Sequence, residues 1–260
     1  MMQREPLTRS DTAIDEKIGY REWEGGTMAG QLRLVSWNVC DGFRSKFGHL
    51  ERLRPDVAIL QEVRPDCLRY AALHENSHWI GDAGQKGMAI IGYNGWQLSP
   101  LAAVAERWFM PVLAEKHGAA VIIVAVWVDS LQECVPPTLR ALEQLRPVIA
   151  SRPAILAGDF NQSIALDRKR GPGRRFADVL RVMQELGLES AWHSSRQEEH
   201  GKETSATLYW QWNQAKPFHI DFAFASASLN VESATLGTFD QYVGGKISDH
   251  VPLVVDYAFV

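Results

Sequence analysis

Cysteine is scarce: only Cys40, Cys67 and Cys134 stand in a chain of 260 residues. Their odd count and the absence of a CxxC pair argue against a disulfide framework and against a structural zinc site, and fit a reducing compartment. Long apolar runs are missing as well. The longest, Ala119 to Val128, is too short to span a bilayer, so no membrane partner is expected. The opening MMQREPLTRSD is charged and has no apolar core. No secretory signal is expected from it, and a cytoplasmic location is. Basic charge is not in excess, the formal net charge being −4. That excludes a globally basic nucleic-acid coat and leaves room for a local patch. What is present is ordinary: 46% hydrophobic, 22% charged and 10% aromatic residues exclude a disordered, collagenous or coiled-coil protein. A chain of this length buries roughly 70–75% of its unfolded surface and needs no staples.

Residues 1–30 differ from the rest. They mix charges without a period and end in Gly25-Gly26-Thr27-Met28-Ala29-Gly30, which reads as a flexible extension with room for one short helix, or as a segment upstream of a start at Met28. Residues 31–260 form the second unit. Strands are expected at Leu32–Trp37, Asp56–Gln61, Gly87–Tyr93, Ala119–Val128 and Ala154–Ala157. Helices are expected at Phe43–Leu53, Pro65–Leu73 and Thr138–Arg146, the last running into Pro147. Phe176, Val179, Leu180, Met183 and Leu186 fall at helical spacing before a capping Gly187. Strands then dominate: Ala206–Trp212, Phe218–Ala225, Val231–Phe239 and Val251–Tyr257. The class is α/β, two packed sheets with helices outside. Residues 94–118 and 193–205 read as loops without a diagnostic motif.

The polar residues have informative positions. LRLVSW runs into Asn38, DVAILQ into Glu62, and AILAG into Asp159 with Asn161 two residues on. His219 and Asp221 sit in PFHIDFAF, and Asp249-His250 precedes the last strand. Polar groups at strand ends converge on one sheet edge, held rigidly by the apolar runs behind them. Glu62, Asp159 and Asp249 are hard oxygen ligands and suit Mg2+ or Mn2+ better than Zn2+. Neighbours on an extended strand face opposite ways, so Asp249 is a poor partner for His250 and Asp221 a better one. A metal, a water-orienting Asp, an amide and a His–Asp pair fit hydrolysis of a phosphate ester.

Trp37-Asn38, Gln61-Glu62, Gly158-Asp159-Phe160-Asn161, His219-Ile220-Asp221-Phe222 and Ser248-Asp249-His250 occur in order and at distinctive spacing. Over residues 32–260 the chain resembles the endonuclease/exonuclease/phosphatase (DNase I-like) superfamily, nearest its exonuclease III and AP endonuclease side and small bacterial relatives. The resemblance implies a four-layer α/β sandwich, two mixed sheets flanked by helices. It implies that Glu62 ligates Mg2+ or Mn2+ with Asp249 beside the metal, and that Asn38 holds metal or phosphate. Asp159 would position or deprotonate the attacking water, Asn161 would stabilise phosphoryl oxygens, and His250, oriented by Asp221, would contact phosphate or transfer a proton. Two positions depart from the family pattern. Where a second Asn or Asp is often found, Cys40 stands and Asp41 follows, so either Asp41 takes the metal role through a bulge or the shell is thinner. Where a phosphate-facing His or Tyr is usual, Trp127 aligns, and its indole can donate but not accept a proton.

Asp167-Arg168-Lys169-Arg170-Gly171-Pro172-Gly173-Arg174-Arg175 begins a few residues past Asn161. Most charge runs are solvated surface. Five cations beside the catalytic edge of an acidic protein instead favour a polyanion. Arg168, Lys169, Arg170, Arg174 and Arg175, with Trp127 and His219, are the candidate substrate contacts. An exposed strand histidine is the ordinary reading of His219, a core role that of Trp127, Trp210 and Trp212, and a structural role that of His193. The expected activity is metal-dependent phosphodiester hydrolysis on nucleic acid, DNA ahead of RNA. The alternatives are a phosphoesterase for a small molecule, a lipid or a protein–DNA adduct, and a non-catalytic binding module of the same fold.

Overall fold

A computed structural model of the chain describes residues 30–71, 76–128, 134–168 and 170–260. The expected N-terminal extension therefore lies, Gly30 apart, outside the described residues, as does Lys169. Fourteen strands follow in chain order: β1 Gln31–Asn38, β2 Val57–Val63, β3 Asn76–Gly81, β4 Gly87–Gly92, β5 Gln97–Pro100, β6 Phe109–Lys116, β7 Ala119–Trp127, β8 Ala154–Asp159, β9 Leu188–Ser190, β10 Leu208–Tyr209, β11 Pro217–Phe218, β12 Asp221–Ser226, β13 Leu229–Leu236 and β14 Leu253–Phe259. The helices are α1 Phe47–Arg52, α2 Leu68–Ala71, α3 Val135–Ile149, α4 Phe176–Glu185 and α5 Ala191–Arg196.

Twelve of the strands form two six-stranded sheets, β13-β14-β1-β2-β4-β3 and β5-β6-β7-β8-β12-β9, and β10 pairs with β11. Both sheets are mixed. β1 runs parallel to β2, and β7 parallel to β8, while their remaining neighbours are antiparallel. The sheets face one another across an apolar layer that includes Leu34, Ile59, Ile90, Val112, Ile123, Ile155 and Val255. Residues of the opposite parity, such as Val124, Leu156 and Phe222, lie under α3 and α4. Val35, Leu60 and Ile91 lie under α1 and the turn that holds Tyr242 and Val243. This is the four-layer α/β sandwich. Because both faces of β7 and β8 are covered, their sequences are continuously apolar rather than alternating.

Several elements differ from the sequence expectation. The segment read as a loop over 94–118 contains β5 and β6. Pro111 sits inside β6, where a proline argues against a strand, yet Met110, Val112 and Ala114 alternate onto the inter-sheet face and burial decides the outcome. β3 and β9 had no counterpart in the reading, and α5 begins inside what was read as loop from 193. α3 continues through Pro147 to Ile149, because Leu145 and Ile149 are both anchored under the sheet. Its start at Val135-Pro136-Pro137 places prolines in the first turn, where their missing N–H is not needed. The expected strand Ala206–Trp212 pairs only over Leu208–Tyr209 and then turns, with Gln211 and Trp212 at positive φ of 58° and 60°. Among the described residues no helix is long and apolar enough to cross a membrane.

Candidate active site

The inner faces of the two sheets are apolar along most of their length and turn polar at one end. On β1 and β2 the inward series Leu32, Leu34 and Val57, Ile59 gives way to Ser36, Asn38 and Gln61. On β8 and β12, Ile155, Ala157 and Ala223, Ala225 share their face with Asp159 and Asp221, which are register partners. The first polar layer ties the sheets together, Gln61 Nε2 donating to Ser36 Oγ at 3.1 Å and to Val126 O at 3.4 Å. The next layer is charged.

Strict alternation would turn Glu62 away from this end. Glu62 instead has a φ of 57°, and the register of β2 on β4 slips between Gln61 and Val63. The bulge re-aims one carboxylate into the site. Asn38 Nδ2 then bridges the sheets, donating to Glu62 Oε1 at 3.1 Å and Asp159 Oδ2 at 3.0 Å. Lys86 Nζ closes on Glu62 Oε2 at 2.6 Å. Burial alone would raise the Glu62 carboxyl, but hydrogen bonds from Lys86 and Asn38 outweigh it and hold the group below the usual carboxylate range.

Asp159 is delivered by a tight backbone. A side chain at Gly158 would come within 1.8 Å of Val126 O, so this position takes glycine alone. Asn161 then turns with a φ of 49°, a conformation asparagine tolerates. Its backbone N–H donates to Asp159 Oδ1 at 2.8 Å, and its amide donates to Asp159 Oδ2 at 3.2 Å and Val128 O at 2.7 Å. His250 Nδ1 meets Asp221 Oδ2 at 2.9 Å, so the imidazole pairs with Asp221 and not with its neighbour Asp249. Thr207 Oγ1 accepts the N–H groups of Ile220 and Asp221, each at 3.0 Å, and sets that carboxylate in place. Ser248 Oγ donates to Asn38 O at 2.8 Å and accepts from His250 N at 3.1 Å, joining the last motif to the first.

Asp159, Asp221 and His250 are all buried, and their candidate ligand atoms lie within 4.8 Å of one another. Burial, reinforced by the Asp221 carboxylate, pushes Asp159 up to about 7. For His250 burial works against the charged form, but Asp221, by charge and by hydrogen bond, together with Asp159 and Asp249, raises it to about 10. The cluster thus favours a protonated imidazole among carboxylates. Asp221 Oδ1 is buried without a hydrogen-bond partner among the described residues.

The turn after β1 forms one wall. Cys40, Asp41 and Gly42 take successive positive φ values of 50°, 61° and 61°. Lys46 Nζ holds this turn from inside through the carbonyls of Val39, Cys40 (3.2 Å) and Asp41 (2.7 Å). Burial and then the charges of Asp249 and Glu62 raise the Cys40 thiol to about 11, so both carboxylates bear on the same pocket. Glu62, Asp249 and the amide oxygen of Asn38 are the hard oxygen donors there. The two carboxylates suit a divalent cation of the Mg2+ or Mn2+ type, while the Asn38 amide oxygen accepts from Cys40 N at 3.0 Å. Asp41, the other metal candidate, is engaged by Arg64: Nε lies 3.0 Å from each carboxylate oxygen and Nη2 lies 2.8 Å from Oδ2.

The remaining candidates are placed as follows. Trp127 is buried beside Asp159 in the β7–β8 register and packs edge-to-face on Trp108 at 4.7 Å, its indole N–H without a partner among the described residues. His219 is buried rather than exposed, its Nδ1 facing Ser205 O at 2.9 Å, because β12 enters the sheet under the 198–207 loop. Trp210, expected in the core, is 42% exposed on the turn after β10. Arg168 and Arg174 are exposed and Arg170 half-buried, and none has a carboxylate partner among the described residues. Arg175 faces Asp178 at 3.7 Å. Asp167 anchors the run by accepting from Phe176 N at 2.6 Å and Ala177 N at 3.0 Å, at the start of α4. Lys86, Lys46 and Thr207 escaped the sequence reading. A lone lysine in a glycine-bearing turn carries no periodicity, and a threonine that caps from another loop has no local signature. Ser248 stood inside a recognised motif.

The family model for the endonuclease/exonuclease/phosphatase family matches residues 35–250. Among curated proteins, none is similar to the chain in sequence. Solved structures are similar at low identity. The truncated TDP2 of Caenorhabditis elegans aligns at 18% identity with a TM-score of 0.65, covering 88% of this chain and 98% of that one. The 3′ phosphatase NExo from Neisseria, bound to a product DNA hairpin, aligns at 17% identity with a TM-score of 0.64, over 88% of this chain and 100% of its own. An endonuclease/exonuclease/phosphatase from Beutenbergia cavernae DSM 12333 aligns at 17% identity with a TM-score of 0.62, over 89% and 72%. At these identities the likeness establishes the fold.

Proposed function

The chain belongs to the endonuclease/exonuclease/phosphatase family, and on that premise we propose that it is a divalent-metal-dependent phosphodiesterase acting on nucleic acid, DNA ahead of RNA. The observation that carries this reading is the buried Asp159–Asp221–His250 cluster, with Glu62 turned toward it by a bulge. Glu62, Asp249 and Asn38 would hold Mg2+ or Mn2+, with Asp41 available only by releasing Arg64. The cation would neutralise charge that develops on the phosphoryl oxygens. Asp159 orients the attacking water and takes its proton, a task suited to a carboxyl raised to about 7. Asn161 and Asn38 hold Asp159 from three N–H groups and so act as positioning residues. His250, kept protonated by Asp221, donates to a phosphate oxygen through the ring nitrogen that does not face Asp221.

Nucleic acid is favoured over a small phosphoester by the surface. Arg168, Arg170 and Arg174, with Lys169 and Arg175 in the same run, follow the Asp159–Asn161 turn and offer cations to a polyphosphate backbone. Trp210 presents an indole where the backbone of Tyr209 bonds Asp249 at 2.8 Å, in reach of a base stacked beside the site. That the Neisseria 3′ phosphatase, similar in fold, is bound to a product DNA hairpin supports this choice.

The test is incubation of the purified chain with supercoiled plasmid and single-stranded DNA in Mg2+ or EDTA. Mg2+-dependent cleavage that Asp159→Asn abolishes is the expected result. Hydrolysis confined to phosphate monoesters or small diesters would overturn the nucleic-acid reading, and cleavage in EDTA would remove the metal.

A further inference from the structure

A second set of ligand-type side chains lies beneath the loop that leads to β10. His193 on α5, and His200 and Glu203 on the loop after it, offer ligand atoms that all lie within 4.8 Å of one another. The imidazoles of His193 and His200 stack at 3.6 Å, and His193 Nε2 faces Glu203 Oε1 at 3.1 Å. The side chains of His193 and Glu203 are each only 6% exposed. The hydrogen bonds do not satisfy this cluster. Among the described residues, His200 Nδ1 and His219 Nε2 are both buried with no partner, and the His219 ring lies 5.6 Å from that of His193. Buried ring nitrogens left bare are unusual, and here two occur around one carboxylate.

We propose that His193, His200 and Glu203 form a second cation site, specific for a borderline transition metal of the Zn2+ type, with the bare Nε2 of His219 as the further donor. Two imidazoles and a carboxylate are a zinc donor set, whereas Mg2+ prefers oxygen alone. Tetrahedral zinc with bonds of about 2.0–2.1 Å places its donors about 3.3 Å apart, so binding would require the stacked rings of His193 and His200 to turn toward the ion. The proton inventory balances. When Nε2 of His193 takes the metal, its proton is carried on Nδ1, where Ser190 Oγ, 2.7 Å away, accepts it. His200 is ready to ligate at neutral pH, because burial and then the neighbouring His193 push it down to about 4. Glu203 is likewise ionised. Burial opposes this, but the bond from His193 and the N–H of Gly201 at 2.7 Å hold it at about 2.

The sequence expectation against structural zinc rested on cysteine, and this set contains none. Its place in the fold assigns the ion a bracing role. The loop carrying His200 and Glu203 continues to Thr207, which holds the backbone of Asp221, and His219 stands two residues before Asp221. An ion here would fasten the loop to the strand that orients His250.

The test uses the full chain, stripped of metal, titrated with Co2+ and then Zn2+. Wild type should take up one equivalent of Co2+ with the intense visible band of a tetrahedral nitrogen-containing site, and Zn2+ should displace it. Glu62→Gln, which disables the oxygen site, should bind as well as wild type, while His200→Gln and Glu203→Gln should weaken Zn2+ roughly 100-fold or more. Zinc-edge absorption spectra of wild type, which need no variant, should report two or three imidazole ligands. Equal affinity in wild type and His200→Gln, loss of binding in Glu62→Gln, or an all-oxygen shell would each overturn the proposal.

Discussion

Two buried histidine–carboxylate clusters flank the start of β12, made of the same parts in different ratio. Around Asp221 one imidazole, His250, faces two buried carboxylates, and a third, Asp249, bears on it. Around Glu203 one carboxylate serves three imidazoles, His193, His200 and His219. The protonation states invert accordingly. His250 is raised to about 10, while burial drives His200 down to about 4 and lowers His219. In a low-dielectric interior the local charge ratio, not the residue type, decides whether a histidine is a cation or a ligand. The first cluster keeps one imidazole protonated, able to donate to a phosphate oxygen, and the second leaves His200 neutral, able to meet a metal.

Substitutions can break that comparison. The largest effect is expected at Asp159. Asp159→Asn should lower kcat by roughly 10²–10⁴-fold if the carboxylate is the base. The same variant should be stabilised near neutral pH. A carboxyl raised from 3.8 to about 7 contributes stability below pH 3.8 that is lost as pH rises toward about 7. Thermal melts of both proteins at pH 4 and pH 8 should therefore diverge at the higher value; parallel curves would refute the assignment.

Asp221→Asn should come next, with a kcat loss in the same decades and a changed alkaline limb. His250, raised from 6.5 to about 10, stabilises the wild type below pH 6.5, and that contribution is lost as pH rises through about 10. Removing Asp221 should shrink this alkaline loss, which chemical denaturation across pH 7–11 would show.

The second cluster should respond at the acid end. His200 is lowered from 6.5 to about 4, so the stability it allows at neutral pH is lost as pH falls through that window. His200→Gln should flatten the melting curve between pH 6.5 and 4 while leaving turnover in zinc-free Mg2+ buffer near wild type. An unchanged acid limb would count against the buried neutral imidazole.

The smallest effect is expected at Lys86. Its ion pair with Glu62 is about one third exposed on the lysine side, so Lys86→Met should change stability by no more than about 1 kcal/mol. It should, however, lower the Mg2+ concentration needed for half-maximal activity, because the ammonium no longer competes for Glu62. A higher requirement would mean that Lys86 assists the cation.

Much of this was legible in the residues. Apolar runs ending in Asn38, Glu62 and Asp159 located the site edge, and period two directed His250 toward Asp221 rather than Asp249. The departures have physical causes. Glu62 faces inward only through a bulge, a single left-handed residue with no glycine to announce it. β6 hid behind Pro111, and Trp210 left the core because the strand expected to carry it ends after Tyr209. His200 and Glu203 occupy an irregular loop, where no period relates them to His193, and only the folded chain stacks the two rings.

The central claim is that equal materials were given different tasks on the two sides of β12. The most direct test places Asp221→Asn and Glu203→Gln side by side in one Mg2+-dependent DNA cleavage assay without added zinc. Loss of cleavage by roughly 10²-fold or more in the first, with the second close to wild type, is the predicted result. Full activity in Asp221→Asn, or an equal loss in Glu203→Gln, would contradict the account.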